Sequence, residues 1–319
     1  MSADHPAPSS PPVPKALFGY DVIDVIGGGA GSTIYVVSDP GSGQIYAMKH
    51  VKIQTEKDVR FVEQVENEFE VSRTFSHPAL RKSVALKLNK TLFRKPTEAA
   101  LVMELFDGIP LNVDQQQDVG KLLDLFIQVA KGLNALHLQE YVHCDLKPNN
   151  ILVDSNGTAK IIDFGQTCKI GTVKQRVQGT PDFIAPEQVK CKSVGIETDV
   201  FNFGATLYWA LCGRPLPTLL TTKKKDRTQL TDGNIPTPQS LNPNVVSALS
   251  GLVMECVQSN AGNRPDDLKD IARRLEMIQH SMRRQETRKA NIRPILAPGE
   301  LPAQHDAPEQ GAGHPLPAE

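Results

Sequence analysis

The sequence predicts an α+β fold in two lobes: a small antiparallel sheet carrying one helix, then a larger, mainly helical lobe. Three observations lead there. Runs rich in Val, Ile and Tyr, separated by Gly-rich or Asp-Pro-Gly turns, open the chain. One charged amphipathic segment follows them, and from Asp118 onward apolar residues recur at spacings of three and four.

The first strands are YDVIDVI (20–26), STIYVVSD (32–39) and QIYAMKHVKI (44–53), whose short connections suit consecutive antiparallel pairing. Residues 55–75 place Phe61, Val65 and Phe69 on one helical face. That helix must stop before His77-Pro78, because the residue preceding a proline is pushed out of the α region. ALVMELFDG (100–108) reads as a strand running into the junction of the lobes, near 104–108. Beyond it, Leu122, Leu125, Phe126, Val129, Leu133 and Leu136 form the buried face of a helix, and segments 199–212, 244–258 and 266–279 repeat the spacing. The expected organisation is a Pro-rich, disordered 1–17, a folded 18–278 (small lobe 18–105, large lobe 106–278), and a tail 279–319, basic and then Pro-rich.

Composition narrows the function classes. With 39% apolar residues, 22% charged residues and a net charge of −1, nothing suggests bulk binding to nucleic acid. Five scattered cysteines without a C-x-x-C pair argue against a disulfide framework or zinc site, and a reducing cytoplasm is the expected setting. The N-terminal residues carry no basic-then-apolar signal, and no run approaches the roughly 18 apolar residues of a spanning helix.

The chemistry concentrates in a few segments. IGGGAGSTI (26–34), between two strands, is a turn in which Gly27, Gly28 and Gly29 let backbone N–H groups approach a polyphosphate. Lys49 lies 22 positions after Gly27 on the strand YAMK, and Glu63, Glu66, Glu68 and Glu70 follow on the helix. HCDLKPNNILVD (143–154) and IIDFG (161–165) set two aspartates 18 positions apart, with a lysine and an asparagine beside the first. GTPDFIAPE (179–187) and NRPD (263–266) lie downstream.

Together these segments resemble the eukaryotic-like (Hanks-type) serine/threonine protein kinases over about 18–278, which implies the bilobal protein-kinase fold. The resemblance implies ATP and Mg²⁺ as cofactors, with Mn²⁺ as an alternative ion, and protein Ser/Thr hydroxyls as acceptors. By it, Lys49 pairs the ATP phosphates and is held by Glu68, which stands nine positions before His77 as the family pattern asks. Asp145 takes or orients the acceptor proton, Lys147 stabilises the transferred phosphoryl, and Asn150 and Asp163 hold the metal. Thr180 is expected beside Asp145 and Lys147, Glu187 paired with Arg264, and Asp199 bracing the catalytic-loop backbone; a plain N-cap is the alternative reading of Asp199. The adenine site is assigned to Met103 as gatekeeper, Glu104 and Phe106 as backbone contacts, and Ile26, Ile34, Ala47 and Leu152 as walls. The chemistry is coherent: phosphoryl transfer asks a protein for placement and charge neutralisation, and an oxygen-seeking divalent ion suits the Asp and Asn ligands.

Three departures stand out. Cys144 replaces the arginine that usually grips an activation-loop phosphate, so Thr172 is a candidate phosphosite without being an expected switch. Ser32 replaces the third glycine. Ser72 replaces an apolar member of the stack linking the lobes, implying a looser small lobe or a shifted helix register. Lys223, Lys224, Lys225 and the stretch 283–293 are candidate docking surfaces, as is the Pro-rich tail. Oligomeric state is not legible. The rival readings are a weakly active or pseudokinase-type nucleotide-binding scaffold, which predicts loss of Lys49, Asp145 or Asp163, and a small-molecule kinase, which predicts loss of GTPDFIAPE; all of these are present.

Overall fold

The structure, a computed structural model, describes residues 13–29, 31–93, 95–112, 118–222 and 234–291. Of the expected disordered 1–17, residues 1–12 lie outside the described residues, as do Lys223 to Lys225 and the Pro-rich 292–319, whereas Ala16–Leu17 are a strand.

The small lobe is a six-stranded antiparallel sheet in the order β1-β2-β3-β4-β6-β5. Its strands are β1 (Ala16–Leu17), β2 (Tyr20–Gly29), β3 (Ser32–Ser38), β4 (Ile45–Lys52), β5 (Ser83–Lys90) and β6 (Pro96–Glu104). The three strands read from the sequence pair consecutively, as expected; β5 and the short β1 were not anticipated. Ser-Val-Ala-Leu-Lys-Leu-Asn-Lys carries little β-branching, so β5 is a strand because β6 offers it a partner. Side chains alternate across β4, so Ala47, Lys49 and Val51 share one face. Ala47 and Val51 join Val62, Val65, Leu101 and Met103 in the core beneath helix α1 (Val59–Ser72).

Helix α1 starts later and ends earlier than 55–75: residues 56–58 form a 3₁₀ turn, in which Asp58 accepts from the Thr55 N–H at 2.8 Å. Its buried positions are Val62, Val65, Glu68, Val71 and Ser72, whereas Phe61 and Phe69 are only half-buried. The helix is therefore rotated by about one position from the expected face, and it buries Glu68 along with its aliphatic residues.

The large lobe centres on α2 (Val119–His137) and α4 (Ile196–Cys212), with Phe126 and Phe203 edge-to-face at 5.4 Å. Asp118 caps α2 through the N–H groups of Gly120 and Lys121. Every expected apolar position of α2 is buried. Short strands β7 (Ile109–Pro110), β8 (Tyr141–Val142), β9 (Ile151–Val153), β10 (Ala159–Ile161) and β11 (Cys168–Lys169) form two small sheets, β10-β9-β7 and β11-β8, that hold the loops between the lobes. Helices α3 (Pro186–Val189), α5 (Pro238–Leu241) and α6 (Ser247–Cys256) follow. The last helix, α7 (Leu268–Asn291), continues past the expected end at Ile278, so the basic part of the tail is helical through Asn291.

Candidate active site

Strand register sets out the upper wall of the site. Gly27 pairs with Ile34, Ile34 with Lys49, and Ala47 with Met103, so the glycine turn, the lysine and the end of β6 are joined through neighbouring strands. Ala47 and Met103 are buried, Ile34 and Leu152 half-buried, and Ile26 exposed. Ser32 pairs with Gly29 as an ordinary strand residue; the left-handed position is Gly31 (φ +81°), and a Cβ there would meet the Phe61 ring.

From this sheet Lys49 reaches across to α1 and to the loop after β10. Its Nζ donates to Glu68 Oε2 at 2.8 Å and to Asp163 Oδ1 at 2.9 Å. Of the four glutamates weighed on the helix, Glu68 alone is buried. Burial by itself would depress the Lys49 ammonium, but the two carboxylates outweigh it and hold its pKa above the usual lysine value. Asp163 is held below the ordinary aspartate range, Lys49 outweighing the cost of burial. Its backbone is left-handed (φ +65°), a conformation aspartate tolerates better than most residues.

A second constellation lies on the large lobe. Lys147 Nζ donates to Asp145 Oδ2 at 2.9 Å and to Thr180 Oγ1 at 2.9 Å, while the Thr180 hydroxyl donates to Asp145 Oδ1 at 2.8 Å. Asn150 donates its amide to the Asp145 carbonyl at 2.8 Å, which leaves its own side-chain oxygen as an acceptor.

The supports of this loop are buried. Asp199 accepts from the His143 N–H through Oδ2 and from the Cys144 N–H through Oδ1, both at 2.8 Å, and from His137 Nε2 at 2.8 Å. It is no N-cap: α4 begins earlier, with Gly195 at the cap. His137, and after it His143 with its backbone N–H, keep its pKa low against full burial. His143 accepts from the Asp145 N–H through Nδ1, so its Nε2 carries the proton toward the Ile162 carbonyl. Arg264 grips Glu187 bidentately at 2.8 and 3.1 Å, and burial is again overcome to lower the Glu187 pKa.

Ser72 is fully buried, its hydroxyl bonded to the Phe69 carbonyl. The Glu68–Lys49 contact stands four positions before this serine on α1. The lobes are joined instead by an aromatic series in which Phe75 meets Phe164 at 5.1 Å and Phe164 meets His143 at 5.6 Å.

Three contributors escaped the sequence reading. Asn67 donates to the carbonyls of Phe164, Gly165 and Thr167 at 3.2, 3.4 and 2.8 Å, tying α1 to the Asp163 loop. Lys160 bonds Glu104 at 2.6 Å and lies 5.3 Å from the Phe106 ring centroid, fastening the lobe junction. A lysine buried within the strand Ala-Lys-Ile was the available signal, since buried lysines have partners. Cys168, the third, stands against Cys144. Thr172 is half-buried, and its hydroxyl bonds the Lys169 carbonyl at 2.6 Å.

Two linked sets of opposed charge, Lys49 with Glu68 and Asp163 and Lys147 with Asp145, thus stand on an antiparallel-sheet lobe followed by a helical lobe, the architecture of the protein kinase class. The chain belongs to the protein kinase domain family, which matches residues 20–280. It is 26% identical over 260 residues to cAMP-dependent protein kinase type 3 of Saccharomyces cerevisiae, covering 80% of this chain and 64% of that protein. It is 27% identical over 261 residues to serine/threonine-protein kinase akt-2 of Caenorhabditis elegans, covering 80% and 48%. A probable serine/threonine-protein kinase of Clostridium acetobutylicum is 25% identical over 270 residues, covering 82% and 40%. The chain thus spans between two fifths and just under two thirds of these relatives' lengths. Among the described residues no helix is long and apolar enough to cross a membrane.

Proposed function

We propose that this kinase transfers the γ-phosphoryl group of ATP to serine or threonine hydroxyls of proteins, its own chain included, with Mg²⁺ as the metal. The observation that carries the reading is the closed Asp145–Lys147–Thr180 triangle, with contacts of 2.8 to 2.9 Å. The Thr180 hydroxyl lies within hydrogen-bond distance of that carboxylate and that ammonium, which supports a hydroxyl as the acceptor group. The relatives named as serine/threonine kinases point to the same acceptor.

The residues fit the metal nucleotide. Asp163 keeps 39% of its side-chain surface exposed, and the Asn150 oxygen is left as an acceptor, so an oxygen-seeking ion has two protein ligands of the right chemistry. Bound Mg²⁺ would neutralise phosphate charge. Lys49, fixed by Glu68, would orient the phosphates; Asp145 would take or orient the acceptor proton; Lys147 would offset charge on the moving phosphoryl. Glycines 27–29 would bring backbone N–H groups to the phosphates, and Ile26, Ile34, Ala47 and Leu152 would wall the base, with Met103, Glu104 and Phe106 at its edge. The catalytic domain is proposed to comprise the sheet lobe through 105 and the helical lobe from 106.

Labelled ATP with Mg²⁺ and the purified chain, alone and with a basic protein acceptor, tests this. Phosphoserine or phosphothreonine is expected, with transfer lost in Asp163→Ala and Lys49→Met. Undiminished transfer in Asp163→Ala refutes the site, and nucleotide binding without transfer to any acceptor favours the scaffold reading.

A further inference from the structure

We propose that Cys144 and Cys168 form a hydroperoxide-sensitive thiol pair that closes to a disulfide between the Asp145 loop and the start of the segment that follows Asp163. The two sulfurs lie 3.8 Å apart, inside an apolar pocket with Val142 and Val194. A disulfide needs about 2.05 Å, so closure asks for a sulfur displacement of roughly 2 Å.

The two cysteines are held differently. Cys144 is 2% exposed and has left-handed backbone (φ +64°). Its N–H is bonded to Asp199 at 2.8 Å and its carbonyl to Gln188 Nε2 at 2.7 Å, so its backbone is clamped on both sides. Cys168 opens the two-residue strand β11, pairs with Val142, and is only half-buried. Closure therefore moves the Cys168 side, and a small oxidant reaches Cys168 first.

Their chemistry divides the same way. The Cys144 thiol, facing the Cys168 sulfur, buried and near Asp199, has its pKa raised. Cys168 is lowered to about 6 by the thiol of Cys144 and then by the Lys174 ammonium and the Thr172 hydroxyl, against the cost of burial. Lys174 is kept nearby by its bond to the Gln166 carbonyl at 2.9 Å. Cys168 is the attacking thiolate and Cys144 the resolving thiol.

The reaction balances with a hydroperoxide as oxidant. The Cys168 thiolate attacks one peroxide oxygen, the O–O bond breaks, and the departing hydroxide or alkoxide takes a proton, leaving Cys168 as sulfenic acid. Cys144 Sγ then attacks the Cys168 sulfur, the S–O bond breaks, and the hydroxyl leaves as water with the Cys144 proton. Two thiols lose two electrons and two protons, and the peroxide is reduced to water, or to water and an alcohol. The product links the residue before Asp145 to a point five positions after Asp163.

The test uses the full chain, reduced, desalted, exposed while folded to equimolar hydrogen peroxide, then alkylated with N-ethylmaleimide in guanidinium chloride and digested with trypsin. The expected product is peptide 132–160 joined to peptide 161–169, with loss of alkylation at both cysteines and recovery of both signals after dithiothreitol. Cys191, Cys212 and Cys256 should remain alkylated, and Cys168→Ser should abolish the link. Two results overturn the proposal: Cys144 and Cys168 both alkylated once Cys191 is oxidised, or Cys168 oxidised to sulfinic acid while Cys144 stays alkylated. The wild-type map decides even if the Cys144→Ser or Cys168→Ser variant melts early, and the readout is independent of phosphoryl transfer.

Discussion

Replacing Arg264 with methionine isolates the ion pair that anchors the end of the 179–187 segment. The Arg264 side chain is fully buried; it donates to both Glu187 oxygens, to the Glu197 carbonyl at 2.7 Å and to the Gln258 carbonyl at 2.8 Å. Methionine preserves much of the apolar stem, which lies near the Phe201 ring, but leaves the Glu187 carboxylate without a cationic partner, with the Thr198 hydroxyl at 2.9 Å and its own backbone N–H. Stranding one member of a buried pair costs about 3–5 kcal/mol. At about 2–3 °C per kcal/mol for a domain of this size, the melting temperature should fall by roughly 6–15 °C. Glu187→Gln should cost less, about 1–3 kcal/mol, because the guanidinium keeps both backbone acceptors. In the double variant the cost should fall short of the sum by at least about 1 kcal/mol. Scanning calorimetry of the four proteins measures this cycle. A shift under about 2 °C for Arg264→Met, or strict additivity, would refute the reasoning that burial makes this pair interdependent.

Acid titration follows from the same group and from Asp199. Both have folded pKa values below their ordinary 4.5 and 3.8, so their stabilisation is present above those values and is lost as pH falls through the folded ones. Melting temperature should hold down to about pH 5 and then drop, and Glu187→Gln should make that drop shallower. Asn67→Ala removes three bonds to the Asp163 loop and should lower kcat/KM for ATP roughly 5- to 30-fold, the equivalent of about 1–2 kcal/mol, with little change in melting temperature. Asn67→Asp should do worse, since a carboxylate would face three carbonyls. Thr172→Ala should stay within about threefold of wild-type transfer, because Cys144 supplies no charge to hold a phosphate there; loss of activity restored by Thr172→Glu would contradict that.

Local patterns carried much of this protein. The Val-, Ile- and Tyr-rich runs of β2, β3 and β4, their short turns and the α2 spacing are dictated by neighbours within a few residues, so they were legible. Lys49, Asp145, Lys147, Asn150 and Asp163 were singled out by the resemblance of their segments to those of protein kinases. Even Glu68 was selectable by its spacing from His77.

What tertiary structure alone decided are the relations between distant segments. The choice of Glu68 over Glu63, Glu66 and Glu70 becomes physical only when α1 packs under β4 and buries one carboxylate against Lys49. Phe75 meets Phe164 although Ser72 occupies the expected apolar position, because the chain beyond α1 turns back toward the Asp163 loop. Asn67 carries no local sign of its partner 97 positions away, and Lys160, flanked by Ala and Ile in a strand, signals that it has a partner but not which one, 56 positions away. Cys144 and Cys168, 24 positions apart, read singly as a missing arginine and an unremarked thiol. They became a pair only when the pairing of β8 with β11 and the Asp199 clamp brought their sulfurs together, since side-chain chemistry is local to a residue but proximity is a property of the folded chain.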